Sequence, residues 1–147
     1  MDLIDFDITK TLEQLEIGGK EGYHQAGSSV FKAHKLRKKA LKDFSNEELC
    51  LMVTQNSSLK YMVPLAIQRL QVDSLIKGDG YEGDLLSAVL TVEKKFWIED
   101  LKGCISMLEA IIKTALATAN SKPLDYEKFL QHSKGAINIF KTNVGLI

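Results

Sequence analysis

Apolar residues recur along most of this chain at three- and four-residue intervals, and no run alternates cleanly for more than a few residues. That period is helical rather than extended. A short helix is predicted over residues 8–16, with Ile8, Leu12 and Leu15 on one side, Asp7 as its N-cap, and Gly18 and Gly19 ending it. The glycines of 18–28, "GGKEGYHQAGS", predict a loop. Ser28 or Ser29 then opens "VFKAHKLRKKAL", whose Val30, Phe31, Ala33, Leu36, Ala40 and Leu41 keep near-helical spacing.

"FSNEEL" is the clearest start signal: Ser45 and Glu48 match a capping box, in which each side chain satisfies an orphan backbone N–H. The helix it opens should run to about Gln55 and turn Leu49, Met52 and Val53 inward. Ser57 or Ser58 should cap the next, where Leu59, Met62, Val63, Ala66, Ile67 and Leu70 follow helical spacing closely. Pro64 cannot donate to the carbonyl of Lys60, so a kink or a restart is expected there.

In "KGDGYEGDLLSAVL", residues 77–90, "GDG" reads as a turn and Asp84 as the N-cap of "LLSAVLTV". "EKKFWIEDL" follows with Phe96 and Trp97. The longest helix is predicted from about Gly103 to Ala119, with Ile105, Leu108, Ile112, Ala115 and Ala119 along one side. "NSKPLD" breaks it, and Asp125 should cap a last helix with Phe129, Leu130, Ile137 and Phe140 inward. The pattern describes one all-α, compact domain over residues 1–147, with about seven helices and no repeat or linker.

Composition agrees: 147 residues, 45% hydrophobic and 26% charged, suit a folded domain with a real core. A net charge of zero argues against a dedicated nucleic-acid binder. "MDLIDFDITK" lacks the basic region of a signal peptide, and no apolar run approaches a membrane span, so a cytoplasmic location is expected. Cys50 and Cys104 lie in apolar helical surroundings without a metal-ligand spacing, and read as small buried hydrophobes. His24, His34 and His132 match no diagnostic catalytic spacing. The reading expects no enzyme, no cofactor and no metal.

The charges are balanced in sum but sorted into patches. "KAHKLRKKALK", residues 32–42, holds six Lys/Arg and no acid, which would suit a helical regulator associated with nucleic acid. A solvated helix face, or cations balancing the acids at 43, 47 and 48, is the structural alternative. Residues 2–21 hold six acids against two lysines, among them Asp2, Asp5, Asp7, Glu13 and Glu16. Asp79, Glu82 and Asp84 form a second acidic group without a cation between them. A turn and a cap account for Asp79 and Asp84 but leave Glu82 and Tyr81 without a task, and tyrosine is enriched at interfaces.

The middle of the chain resembles a family. "LRKKALKDFSNEEL", "MVTQNSSLKYMVPLAIQRL", "GDGYEGDLLSAVL" and a following "FW" occur in the order found in immunity proteins of bacterial contact-dependent growth inhibition (CDI) systems. The resemblance covers about residues 36–97, and it differs at Ala40, where several such proteins would carry proline. It implies a small cytoplasmic protein that binds the C-terminal toxin domain delivered by a neighbouring cell, and that works by occlusion without chemistry of its own. Such toxins are often nucleases. Asp2, Asp5, Asp7, Glu13, Glu16, Asp79, Tyr81, Glu82 and Asp84 are then the candidate toxin-binding residues. The expected protein is a monomer before it meets the toxin, with no direct contact to nucleic acid or membrane.

Overall fold

A computed structural model describes residues 3–16, 28–99 and 101–146. Eight α-helices lie among them: α1 (Leu12–Leu15), α2 (Ser28–Leu36), α3 (Asn46–Thr54), α4 (Leu59–Val72), α5 (Asp84–Leu90), α6 (Lys94–Glu99), α7 (Ile105–Ser121) and α8 (Glu127–Asn143). Two short 3-10 turns, Leu41–Asp43 and Lys102–Cys104, lead into α3 and α7. The described residues contain no β-strand, only two isolated bridges, Thr11 with Ala40 and Lys77 with Glu82. The all-α expectation holds. Of the predicted loop 18–28, residues 18–27 fall outside the described ones while Ser28 already belongs to α2, and the inward placement of Val30 and Phe31 concerns side chains that are not described.

The seven-residue α5 sits at the centre because it is apolar on several sides. Leu85, Leu86, Val89 and Leu90 are all fully buried, and the helix touches α3, α4 and α8. Each such leucine contributes about 1.5–3 kcal/mol relative to exposure. Beside it, Trp97 meets Phe140 edge-on at 5.2 Å between ring centres, and its indole N–H donates to the Val92 carbonyl at 3.0 Å. Phe129 from α8 is fully buried as well.

Helix starts show where local chemistry was decisive. Ser45 and Glu48 form the predicted capping box: Ser45 Oγ accepts from Glu48 N–H at 3.0 Å, and Glu48 Oε1 accepts from Ser45 N–H at 2.8 Å. Four other expectations are corrected. Asp7 does not cap α1; it accepts from the N–H and hydroxyl of Thr9 at 2.9 and 2.6 Å, closing a separate turn. Those bonds, the hydroxyl's first, hold its carboxyl below the usual range. Thr11 caps α1 instead, in a second capping box with Gln14.

Ser58 occupies the cap position of α4 in a left-handed conformation (φ 51°), and its hydroxyl turns away to Glu16. Asp125 does not cap α8 either; Tyr126 stands there, with no side-chain cap bond. Nor does Pro64 restart a helix, since α4 runs through it for 14 residues. Eight buried residues along α4 hold it against the core, which outweighs one missing backbone bond, and Lys60, whose carbonyl is released, is an exposed residue.

Candidate functional site

The loop between α4 and α5 is assembled from its inside. Asp84 is the first residue of α5, not its cap; that position belongs to Gly83. The Asp84 carboxylate reaches backwards and accepts four backbone N–H groups: Gly78 at 2.5 Å, Asp79 at 2.9 Å, Gly80 at 2.6 Å and Tyr81 at 3.4 Å. Converging amides form a concavity suited to a negative charge. Here the protein fills it with its own carboxylate.

Two glycines make this closure possible. A Cβ on Gly78 would stand 2.8 Å from Cβ of Cys50, which lies beneath the loop. Gly83 adopts φ +97°, and a Cβ there would run into the Phe129 ring. Burial, and then the Asp84 carboxylate, push the Cys50 thiol up to about 11. Both cysteines are buried free thiols.

This sorts the predicted residues of the loop. Asp79 and Glu82 are exposed, Glu82 at the Lys77 bridge. Tyr81 is half-buried, its ring 5.8 Å from that of His132 on α8. Asp84 faces inward and holds the others.

The N-terminal acids divide in the same way. Asp5, Asp7 and Glu13 are exposed, whereas Asp2 lies outside the described residues. Glu16 points inward, where its Oε1 pairs with Arg37 Nη1 at 2.5 Å and accepts the Ser58 hydroxyl at 2.8 Å. The two charged side chains are only 11% and 6% exposed. The segment is further joined to the chain after α2 by the Leu41 N–H to the Lys10 carbonyl (3.0 Å), the Lys42 N–H to Ile8 (2.8 Å) and the Glu13 N–H to Arg37 (3.1 Å). Phe6 meets Tyr61 of α4 edge-on.

The basic run 32–42 is therefore not one continuous face. Arg37 is buried with Glu16, and Lys39 pairs with Glu48 at 2.8 Å. Lys39 and the Ser45 N–H keep the Glu48 carboxyl below its usual range, against the opposing and larger single effect of burial. Lys32 and Lys35 share the lining of a groove of about 440 Å³ with Glu47, Asp79, Leu36 and Leu51. Glu47, one of the acids expected to balance this run, is exposed and follows the Ser45 cap by two residues, where acids favour a helix start.

Among the described residues, no group of three or more His, Cys, Asp or Glu is placed to hold a metal, and no helix is long and apolar enough to cross a membrane. His24 lies outside the described residues, while His34 and His132 are exposed on α2 and α8.

The described residues form a small helical protein whose exposed acids adjoin two inward-turned carboxylates, Glu16 and Asp84. The family model of the CDI immunity proteins matches residues 13–107, from α1 to the first turn of α7, and the chain belongs to that family. It is an immunity protein that neutralises a CDI toxin. The match extends the resemblance seen over 36–97 at both ends and leaves α8 outside it. No curated protein and no solved structure gives a match.

Proposed function

We propose that this immunity protein neutralises the C-terminal domain of an RNA-cleaving toxin by placing carboxylates in the toxin's substrate cleft. A cleft that binds RNA is cationic, because it must neutralise phosphates. The observation that carries the reading is the presentation of Asp79 and Glu82, exposed on a loop whose backbone is fixed by Asp84. Groups held in place before contact lose little freedom on binding, and like-signed groups steer an oppositely charged partner. Asp5, Asp7 and Glu13 supply a second exposed acidic segment, with Asp2 preceding it in sequence. Tyr81 supports the loop through His132 and adds a ring edge to it. The protein acts in the cytoplasm, as a monomer until the toxin arrives, and needs no catalysis of its own.

The test is co-expression with the toxin domain encoded beside it, followed by co-purification and an RNA-cleavage assay. Binding with loss of cleavage supports the reading; binding without an RNA-cleaving activity in the free toxin overturns the nuclease assignment. Asp79→Lys with Glu82→Lys is expected to slow association by about tenfold or more while leaving the helical content unchanged. An unaltered on-rate would move the interface away from this loop.

A further inference from the structure

A separate groove of about 330 Å³ opens between α6, the turn into α7 with its first residue, and the end of α8 with the two residues that follow it. Trp97, Ile105 and Val144 line it, and Ile98 stands at its wall 60% exposed. An isoleucine left that open is unfavourable unless something covers it, and here it adjoins further apolar surface rather than standing alone. The groove's charged lining is of one sign: Lys94 and Lys102, with no carboxylate among its described residues. Both lysines are exposed, and neither pairs with a described carboxylate.

We propose that this groove docks a short, acidic, amphipathic segment of a protein partner. Its apolar side chains would seat on Ile98, Ile105 and Val144, and its carboxylates would meet Lys94 and Lys102. A helix laid in a groove recognises its site through anchors at i, i+3 or i+4 and i+7, and a groove of this size takes such anchors from one or two turns. Flanking lysines then select for acids and against a basic segment. An anionic bilayer is the poorer fit, because two cations attract it weakly and a concave surface cannot lie flat on it. The wall contributed by Thr142, Asn143 and Val144 lies beyond the matched span 13–107, whereas Lys94, Ile98, Lys102 and Ile105 lie within it. The proposal stands independently of the toxin-cleft reading, since it uses a different surface and the opposite charge.

The probe is a blocked helical peptide of about twelve residues, with Leu at i, i+4 and i+7 flanked by Glu. Calorimetry gives the affinity, and Trp97, the single tryptophan of the chain, reports locally by its emission. Saturable binding with a change in Trp97 emission is expected. Lys94→Glu with Lys102→Glu should weaken it by about tenfold or more, and added salt should weaken it as well. Ile98→Asp should abolish it. All three positions are exposed, and far-UV circular dichroism confirms that the variants fold. The proposal is overturned by no heat of binding, by equal affinity for the same peptide with Lys in place of Glu, or by binding to phosphatidylserine vesicles without binding to the peptide.

Discussion

Glu16 and Asp84 are both carboxylates turned inward from acid-rich segments, but they close very different stretches of chain. Glu16 reaches Arg37 across 21 residues and Ser58 across 42. Asp84 takes its four partners from the three to six residues before it. The first is an ion pair with both charges nearly out of solvent; the second is one charge met by amide dipoles at a half-exposed loop. Acid-rich sequence is therefore not one thing. In each segment one acid turns inward, and the other acids among the described residues, Asp5, Asp7 and Glu13 in the first and Asp79 and Glu82 in the second, stay on the surface. A distant partner ties the N-terminal segment to α2 and α4, whereas a local set of amides shapes a loop that the nearby chain can close by itself.

The sharpest break of this contrast is Glu16→Ala. It leaves the Arg37 guanidinium buried without its carboxylate, and is expected to cost about 3–5 kcal/mol in urea unfolding. Adding Arg37→Met should recover much of that loss, because a well-packed apolar pair removes the buried charge. A single mutant within about 0.5 kcal/mol of wild type would show that backbone bonding and Phe6 packing, not the ion pair, hold the segment. On the other side, Gly83→Ala should cost about 3 kcal/mol, summing a strained left-handed residue and a clash with the buried Phe129 ring. Gly80→Ala is its control: a Cβ there meets only Asp84 Oδ2, at 3.6 Å, so the change should fall within about 0.5 kcal/mol.

A smaller effect separates the two inward carboxylates by their chemistry. Asp84→Asn keeps the shape but removes the charge and replaces one of the two accepting oxygens by an NH2, which at best still faces the Gly78 N–H; about 1.5–3 kcal/mol should be lost. Amide exchange should quicken at Gly78, Asp79 and Gly80, with the N-terminal segment unaffected. Cys50 supplies a second readout. Its thiol stands at about 11, first through burial and next through the Asp84 carboxylate. Removing that carboxylate lowers the thiol pKa, so more thiolate is present at a given pH and alkylation by iodoacetamide speeds up. Glu16→Ala, under conditions where it remains folded, should leave that rate unchanged. Equal rates in wild type and Asp84→Asn would show that burial alone governs Cys50.

The same contrast explains what could be read from the letters. Ser45–Glu48 was legible because both partners lie within one helical turn, and the apolar stripes of α3, α4, α7 and α8 follow the period of their own helices. Thr11–Gln14 carried an equally local signal, overlooked in favour of Asp7. Asp84 was recognised as an important acid near a helix start, yet its partners lie upstream in the loop rather than in the helix, which cap propensity does not encode. Ser58 and Glu16 could not be read, since their bond spans 42 residues and depends on how α1 docks. The restart expected at Pro64 is absent for a related reason: local propensity disfavours proline inside a helix, and the burial of α4 on its neighbours compensates. Membership of the immunity family was legible over 36–97 through an ordered set of local motifs, while the exposure of Asp79 and Glu82 required the fold.

A small stabilising effect tests the N-terminal segment from its outer edge. Ala40 bridges to Thr11 with φ −60° and ψ 137°, which is backbone that proline adopts without strain. The hydrogen bonds around it are donated by its neighbours, Leu41 to Lys10 and Lys39 to Leu36. Ala40→Pro therefore removes freedom from the unfolded chain without taking a donor from those bonds. A gain of about 0.4–1 kcal/mol is expected, read as a Tm rise of about 1–4 °C in a chain of this length. A loss instead would place the cost at Lys39, because a residue before proline is barred from helical backbone and Lys39 closes a turn onto Leu36. The informative version makes the change in the Glu16→Ala background as well. An equal gain in both backgrounds means that the bridge and the ion pair stabilise the segment independently. A gain that vanishes without Glu16 means that the two are one cooperative unit, with the bridge formed only while the buried pair holds α1 in place.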